Sequence, residues 1–553
     1  MTWLVVVLGV LVPIVPLLYA SVRDRPVYEA GGVFTLSPYR QLFADPAFWQ
    51  SVRNTLEFAT LCTVFAVGLG AGAAIACART DILGRRLWSK LLLAPLLLPP
   101  LGVILGWNAL YGPGGYATNF ITHTLRIPLN LTSVPGMSAL GSVVGMPVAF
   151  LTCQAALANV DSSLEDAARS AGARPLRVIT LIVVPMMRPA LLNAALLIFT
   201  LSVESLGIAL ILGSPAGNDF VASYLYNTWS SSSTIDPGAV SAGAMLLLLA
   251  AVGLLLLRRA LLGSEARFVS VTGRGRGLHT PIELGRPRRV ILGALVAAYF
   301  AVTTLAPILA LALQSSVSVL TPLIAPWHLW TAANWNQIGR PEFTGPIRNS
   351  LEIAAVGAVV TTAVVALATT VAHRSSFPLR KSLQFIMLFP RAMPGIIVGI
   401  GFFWTFVLFN PPGNMLRNSI WGIALALSIR SLTLAYLVLY PALAAVSSSL
   451  DDAARSAGAS WWTTMTRIVL PILRPALLAS FILLFVSILN DYDPALFLVS
   501  PGNEIMGVTM INSLKQGSTG PAAAMAMVQV AATIVAIAVG SRLFRTTTRR
   551  THA

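Results

Sequence analysis

Apolar runs long enough to cross a bilayer recur from one end of this 553-residue chain to the other, with the charges gathered between them. A membrane-spanning helix needs about 20 mostly apolar residues, because lipid offers no partner to an unsatisfied backbone group. Twelve stretches meet that demand. The first six are about 2–20, 50–78, 87–111, 134–158, 189–213 and 238–257. The second six are about 290–313, 347–372, 383–409, 418–446, 475–499 and 521–541. The first run has no basic segment ahead of it and no A-x-A site, so it reads as a helix rather than a leader. Only 10 % of residues are charged, against about 25 % in soluble domains. A cytosolic enzyme, a nucleic-acid binder and a disordered chain are thereby excluded. Cys62, Cys77 and Cys153 lie inside apolar runs without CxxC spacing and read as small buried hydrophobes.

The net charge of +17 is a statement about orientation. With the N-terminus inside, 26 of the 37 Lys and Arg fall on inside segments, nine outside, and two (Arg391 and Arg430) within spans. The positive-inside rule then places both termini in the cytoplasm.

The chain is duplicated. SSLEDAARSAGA at 162–173 returns as SSLDDAARSAGA at 448–459, an offset of 286, and the match runs on to VVPMMRPALL and VLPILRPALL. RNTLEFA at 53–59 returns as RNSLEIA at 348–354, an offset of 295, which also relates Pro95 and Pro99 to Pro390 and Pro394. The expected organisation is a first six-helix half over 1–257 (core about 50–257), a basic linker over 258–289, and a second half over 290–553 (core about 345–545). The fold expected is an all-α membrane protein of twelve transmembrane helices, in two homologous six-helix halves related by a pseudo-twofold along the membrane normal. VTGRGRG in the linker precedes no strand–helix unit and reads as a connector, not a phosphate loop.

The repeated loop follows the fourth run of each half, on the inside. Ser162 or Ser163 can cap a short helix, with Glu165 and Asp166 in its first turn at the positive end of the dipole. Ala167 and Ala168 keep one surface small, and Gly172 can end the helix in the left-handed region. The second copy has Asp451, Asp452, Ala453, Ala454 and Gly458. Such a helix suits docking into a groove, and a plain connector would have no reason to carry the same residues twice. The pattern resembles the EAA loop of permease subunits of binding-protein-dependent ABC importers, which reads E-A-A, three residues, G, nine residues, I-x-L-P. Here it is Asp166-Ala167-Ala168, Gly172, Ile182 and Pro185, then Asp452-Ala453-Ala454, Gly458, Ile468, Leu470 and Pro471. Asp replaces the leading Glu in both copies, and Val184 replaces Leu in the first.

The resemblance implies that these loops are coupling helices received by ATPase subunits, whose closure drives alternating access in a multi-pass protein of the cytoplasmic (inner) membrane. No GxxxxGK[ST] occurs, and none of the three lysines follows a glycine-rich run. The implied partners are two copies of an ATP-binding cassette subunit, which would carry ATP and Mg, and an extracytoplasmic solute-binding protein. Lipid surrounds the chain, and no nucleic acid, catalytic residue or metal ligand is expected on it.

Fused two-half permeases of this kind are similar to the ferric-iron uptake group. FVSVTGRGRG, PRAMPGIIVGIGFFW and NDYDPALFLVSPGNEIMGVTM carry that likeness, with thiamine, phosphonate and polyamine importers as relatives. Ionisable groups inside spans each cost about 2.5–3.5 kcal/mol to insert, so they mark a pathway or a partner. Glu204 falls in the fifth run of the first half; its counterpart Asn490 stands beside Asp491, Tyr492 and Asp493. These oxygen donors suit a cation. Pairing with Arg391 or Arg430 would instead make a neutral gate latch. Pro95, Pro99, Pro390 and Pro394 are expected to kink the third span of each half. A secondary transporter of two six-span halves would run on an ion gradient without an ATPase. A membrane enzyme would need a convergent cluster, and the five histidines are scattered.

Overall fold

The computed structural model describes residues 2–29, 31–159, 162–231, 237–262, 283–374, 378–447 and 449–550. Among them every regular element is a helix, and two isolated β-bridges, Arg23 with Phe34 and Val317 with Trp330, close the loops that follow the first apolar run of each half. VTGRGRG and most of the basic linker lie outside the described residues.

Among the described residues, eight helices are long and apolar enough to cross a membrane: Pro46–Arg79, Val134–Ala158, Pro237–Leu262, Arg286–Ser316, Pro341–Arg374, Ile420–Ala444, Trp461–Asn490 and Thr519–Leu543. Three bent pairs raise the number to at most eleven, and Val6–Ser21 is a shorter apolar helix. Long apolar helices alone therefore do not supply the expected twelve.

Two of the bent pairs correct the reading of the third runs. Arg85–Leu97 meets Pro100–Thr124 at 99°, and Ser382–Arg391 meets Gly395–Leu408 at 108°, so these runs are broken rather than kinked. Proline offers no N–H and holds the residue before it out of the helical region. Pro95 and Pro390 fall in 3-10 turns, Ala94–Leu97 and Phe389–Ala392, while Pro99 and Pro394 cap the helices that restart.

The fifth runs also end early. Helix Arg188–Val203 stops just before Glu204, and Leu470–Asn490 stops just before Asp491; short separate turns follow at Ala209–Gly213 and Ala495–Leu498. Glu204 is thus not in mid-helix, as its place in the run implied, but the first residue past the helix end.

The chain divides into two compact units, each assembled from both halves of the sequence. One unit is Met1–Ala44, Leu225–Leu249 and Ala333–Ala553; the other is Asp45–Tyr224 and Ala250–Ala332. Within the former, Ile14–Ser21 packs on Gly395–Leu408, where a Cβ on Gly401 would collide with the Pro13 carbonyl. Within the latter, Ala306–Ser316 packs on Pro100–Tyr111, where a Cβ on Gly106 would collide with the Pro307 carbonyl. Gly106 and Gly401 are 295 positions apart, so the same close approach is built twice. Trp107 Nε1 donates to the Thr303 carbonyl at 3.0 Å and Tyr111 Oη to that of Val302 at 2.9 Å, which ties Pro100–Tyr111 to the turn just before Ala306–Ser316. Cys62, Cys77 and Cys153 are buried free thiols.

Candidate functional site

The repeated loops form the helices Ser162–Ser170 and Ser449–Ser456. Both end in the same cap. Gly172 sits at φ +81° and Gly458 at +79°, conformations that side chains other than glycine rarely adopt. Gly172 N–H donates to the Arg169 carbonyl and Ala173 N–H to that of Ala168; Gly458 and Ala459 repeat this on Arg455 and Ala454. This pair of bonds satisfies carbonyls that a helix end leaves open. The outer face is small and exposed in both copies: Ala167, Ala171 and Gly172, then Ala453, Ala457 and Gly458. Ala454 is buried and Ala168 partly so. The side chains of Ser162, Ser163 and Asp166 lie outside the described residues. Asp452 is exposed and pairs with Arg455 at 2.5 Å.

Beyond each cap the chain enters a π-helical turn, Ile179–Val183 and Met465–Val469, at positions 286 apart. Pro185 and Pro471 follow two residues later. A proline removes one i→i−4 bond, and the wider turn absorbs the lost partner. The halves then differ: the first bends by 59° about Met187, whereas Leu470–Asn490 continues through Pro475.

Two arginines not singled out in the sequence hold these helices in place. Arg79 ends Pro46–Arg79, and its Nη2 lies 3.1 Å from Glu165 Oε1, with the two side chains 3 % and 2 % exposed. The same Nη2 donates to the Leu157 carbonyl at 2.9 Å. Arg374 ends Pro341–Arg374; its Nη1 donates to Asp451 at 2.7 Å and its Nη2 to the Val446 carbonyl at 2.8 Å. Glu165 therefore does more than face a helix dipole. The signal was present: Arg79 and Arg374 stand 295 apart, the offset that relates the RNTLEFA and RNSLEIA segments.

Those segments have a purpose of their own. Asn54 Nδ2 donates to the Asp219 carbonyl, and Thr55 Oγ1 accepts from Val221 N–H. Asn349 Nδ2 donates to the carbonyls of Gly502 and Glu504, and Ser350 Oγ accepts from Met506 N–H. In each half the second helix thus anchors the chain that follows the fifth. Arg348 and Glu352 form an exposed pair at 3.5 Å.

The ionisable groups past the fifth helices are arranged unequally. Arg430 Nη1 lies 2.6 Å from Asp491 Oδ2 and 3.6 Å from Asp493 Oδ2, all three side chains 13–18 % exposed. Gly395 permits this: a Cβ there would run into Asp493 and reach Arg430. Tyr492 is buried against Gly507, and Asn490 Oδ1 accepts from Thr533 Oγ1 at 3.4 Å. Arg391 is exposed in the 3-10 turn Phe389–Ala392. At the offset of 286 the first half has Val144, Ser205 and Gly207 in place of Arg430, Asp491 and Asp493, leaving Glu204 as its ionisable group there. Among the described residues no group of three His, Cys, Asp or Glu is placed to hold a metal ion.

Comparison with known proteins adds a family. The one described as binding-protein-dependent transport system inner membrane component matches twice, over residues 66–262 and 355–552. The putative ferric transport system permease protein FbpB 1 of Haemophilus influenzae is 26 % identical over 455 residues, 80 % of this chain and 68 % of its own. The ferric transport system permease protein FbpB of Actinobacillus pleuropneumoniae is 24 % identical over 442 residues, 78 % of this chain and 62 % of its own. This chain thus spans about two thirds of the length of these relatives. A putative 2-aminoethylphosphonate transport system permease protein PhnU of Salmonella typhimurium is 26 % identical over 220 residues, 39 % of this chain and 77 % of its own. Among solved structures, a bacterial alginate ABC transporter bound to its pentasaccharide-loaded periplasmic protein aligns with TM-score 0.39 and 17 % identity, over 45 % of this chain and 86 % of that one.

Proposed function

This chain belongs to the binding-protein-dependent transport system inner membrane component family, and from that premise we propose that it is the permease of an ATP-driven importer that moves ferric iron into the cytoplasm. The observation that carries the reading is the pair of loop helices, alike in sequence, cap and small outward face. We assign Glu165, Asp166, Ala167, Ala168, Gly172 and Pro185, with Asp451, Asp452, Ala453, Ala454, Gly458 and Pro471, to coupling. Each helix would dock in one of two ATPase subunits, which bind ATP and Mg. A solute-binding protein would deliver cargo to the opposite face. Twelve spans with both termini cytoplasmic complete this arrangement.

Iron as cargo is supported by the similarity to ferric transport permeases over most of the chain. Glu204, Asn490, Asp491, Tyr492, Asp493, Arg391 and Arg430 would line the pathway or its gate. Arg430 offsets part of the charge of Asp491 and Asp493, so this site favours passage over tight capture. A phosphonate cargo is the second reading, favoured by the 2-aminoethylphosphonate relative. The test is uptake of radiolabelled ferric iron in cells lacking the gene, with and without a plasmid copy. Loss of uptake restored by the plasmid is expected. Unchanged iron uptake overturns the cargo, and failure of any ATPase subunit to co-purify overturns the import reading.

A further inference from the structure

The coupling helices carry one acidic position that both halves keep buried or partly buried, and the same kind of residue grips it. Glu165 and Asp451 are the only difference between the two twelve-residue repeats, and both retain a carboxylate. Each meets an arginine that is the last residue of a long helix, Arg79 of Pro46–Arg79 and Arg374 of Pro341–Arg374. Each arginine also donates to a backbone carbonyl where the fourth helix ends or just beyond, Leu157 and Val446. One guanidinium therefore ties three elements together: the end of the second span, the end of the fourth, and the loop helix. Arginine suits this task because its fork of donors keeps its charge and serves two acceptors at once.

Stability is a weak account of these contacts. A buried ion pair gains little over apolar packing of the same volume, because both charges must leave water. The first pair is also imperfectly satisfied: Arg79 Nε and Glu165 Oε1 have no hydrogen-bond partner among the described residues, although the charges lie 3.1 Å apart. The second borders an open cleft walled in part by Arg374, Asp451, Arg455 and Trp461, so its carboxylate is nearer solvent. Two differently built pairs that keep the same three-way connection are more simply explained by the connection itself.

We propose that Arg79 and Arg374 are positioning residues of coupling, each locking its loop helix to the second and fourth spans so that displacement of the loop helix moves the spans as one body. This deepens the import reading above and rests on it. Neither arginine belongs to the docking face. Removing one should leave ATPase subunits attached but separate hydrolysis from span movement.

The test uses the full chain in complex with its ATPase subunits. The three native thiols are buried, so two introduced cysteines can carry spin labels with little background. Leu83→Cys beyond the second span and Leu164→Cys on the loop helix are both exposed, and both belong to one compact unit. In the parent, the label distance should be the same without nucleotide and with trapped ATP. In Arg79→Gln and Glu165→Gln it should change with ATP by about 2 Å or more, the scale of interface helix shifts. Solute moved per ATP hydrolysed should fall about tenfold. A purely structural role would lower protein yield, hydrolysis and uptake together and leave that ratio alone. Should the buried Arg79 variants fail to fold, Arg374→Gln and Asp451→Asn, with labels at Leu379→Cys and Leu450→Cys, read the same effect at the more open pair. A label distance that moves with ATP in the parent, or stays fixed in the variants, overturns the clamp while leaving the import reading intact. Absence of ATPase subunits from the parent complex overturns both.

Discussion

The two loop helices and the two segments past the fifth helices are equally duplicated in origin, but they have aged differently. Over twelve residues the loop helices differ only at Glu165 and Asp451, and an arginine meets that position both times. Over 203–215 and 489–501, at the same offset, only Ala209, Leu210, Leu212, Ser214 and Pro215 find identical partners. Val144, Ser205 and Gly207 stand where the second half has Arg430, Asp491 and Asp493. A surface that meets two copies of one partner must stay the same twice. A surface that meets a single solute is free to differ between its two copies. On the function proposed above, the contrast would separate residues that serve two ATPase subunits from residues that serve the cargo.

The largest expected effect breaks the conserved side of this comparison. Gly172→Glu combined with Gly458→Glu puts a side chain at two left-handed positions and a charge on the small exposed face of each loop helix. The protein should remain in the membrane fraction by immunoblot while uptake is abolished. Normal uptake in the double variant would sink the coupling assignment, and unequal losses in the single variants would show that the loops are not equivalent. Next, Arg430→Ala should destabilise the detergent-solubilised protein by about 3 kcal/mol, because two partly buried carboxylates lose a paired cation. Combining it with Asp491→Ala and Asp493→Ala should recover most of that loss in thermal unfolding. A parent-like Arg430→Ala would mean that the charge cluster is not what distinguishes the halves.

Smaller effects sharpen the symmetric features. Gly106→Ala and Gly401→Ala should each cost about 1–3 kcal/mol, since either Cβ would strike a carbonyl of a packed helix. Equal losses are expected, and a neutral result at one site would mark that contact as loose. Asn349→Ala should cost about 2 kcal/mol and Asn54→Ala about 1 kcal/mol, in proportion to the two carbonyls and the one carbonyl they serve. Melting midpoints that reverse this order would show that the anchors owe their strength to something other than these bonds.

What could be read in advance was local. The loop helices announced themselves through a capping glycine and small residues at fixed spacing, and Gly172 and Gly458 adopt the left-handed geometry that such spacing requires. The apolar runs were equally plain, because hydropathy depends on composition and not on partners. The same averaging hid where helices stop: a window centred on Glu204 or Asp491 is apolar overall, although Gly207 and Pro494 lie just beyond. The prolines of the third runs foretold a disturbance but not its angle, which depends on what each piece packs against. Arg79 and Arg374 read as ordinary inside charges until Glu165 and Asp451 were seen beside them. The packing of Ile14–Ser21 on Gly395–Leu408 had no local signature at all.

That last contact has a consequence for how the chain is made. Thr405 Oγ1 reaches the Val12 carbonyl, and Trp3 Nε1 donates to Ser382 Oγ across 379 positions of sequence. At about 5–20 residues per second, the ribosome needs roughly 20–75 s to supply the second partner. For that interval Ile14–Ser21 lacks the helix it packs on in the finished protein. Loop-closure entropy grows only slowly with length, so the wait costs time more than free energy. Ile14–Ser21 and Gly395–Leu408 are thus a pair in which one member must wait for nearly 400 residues of intervening chain before the contact can form.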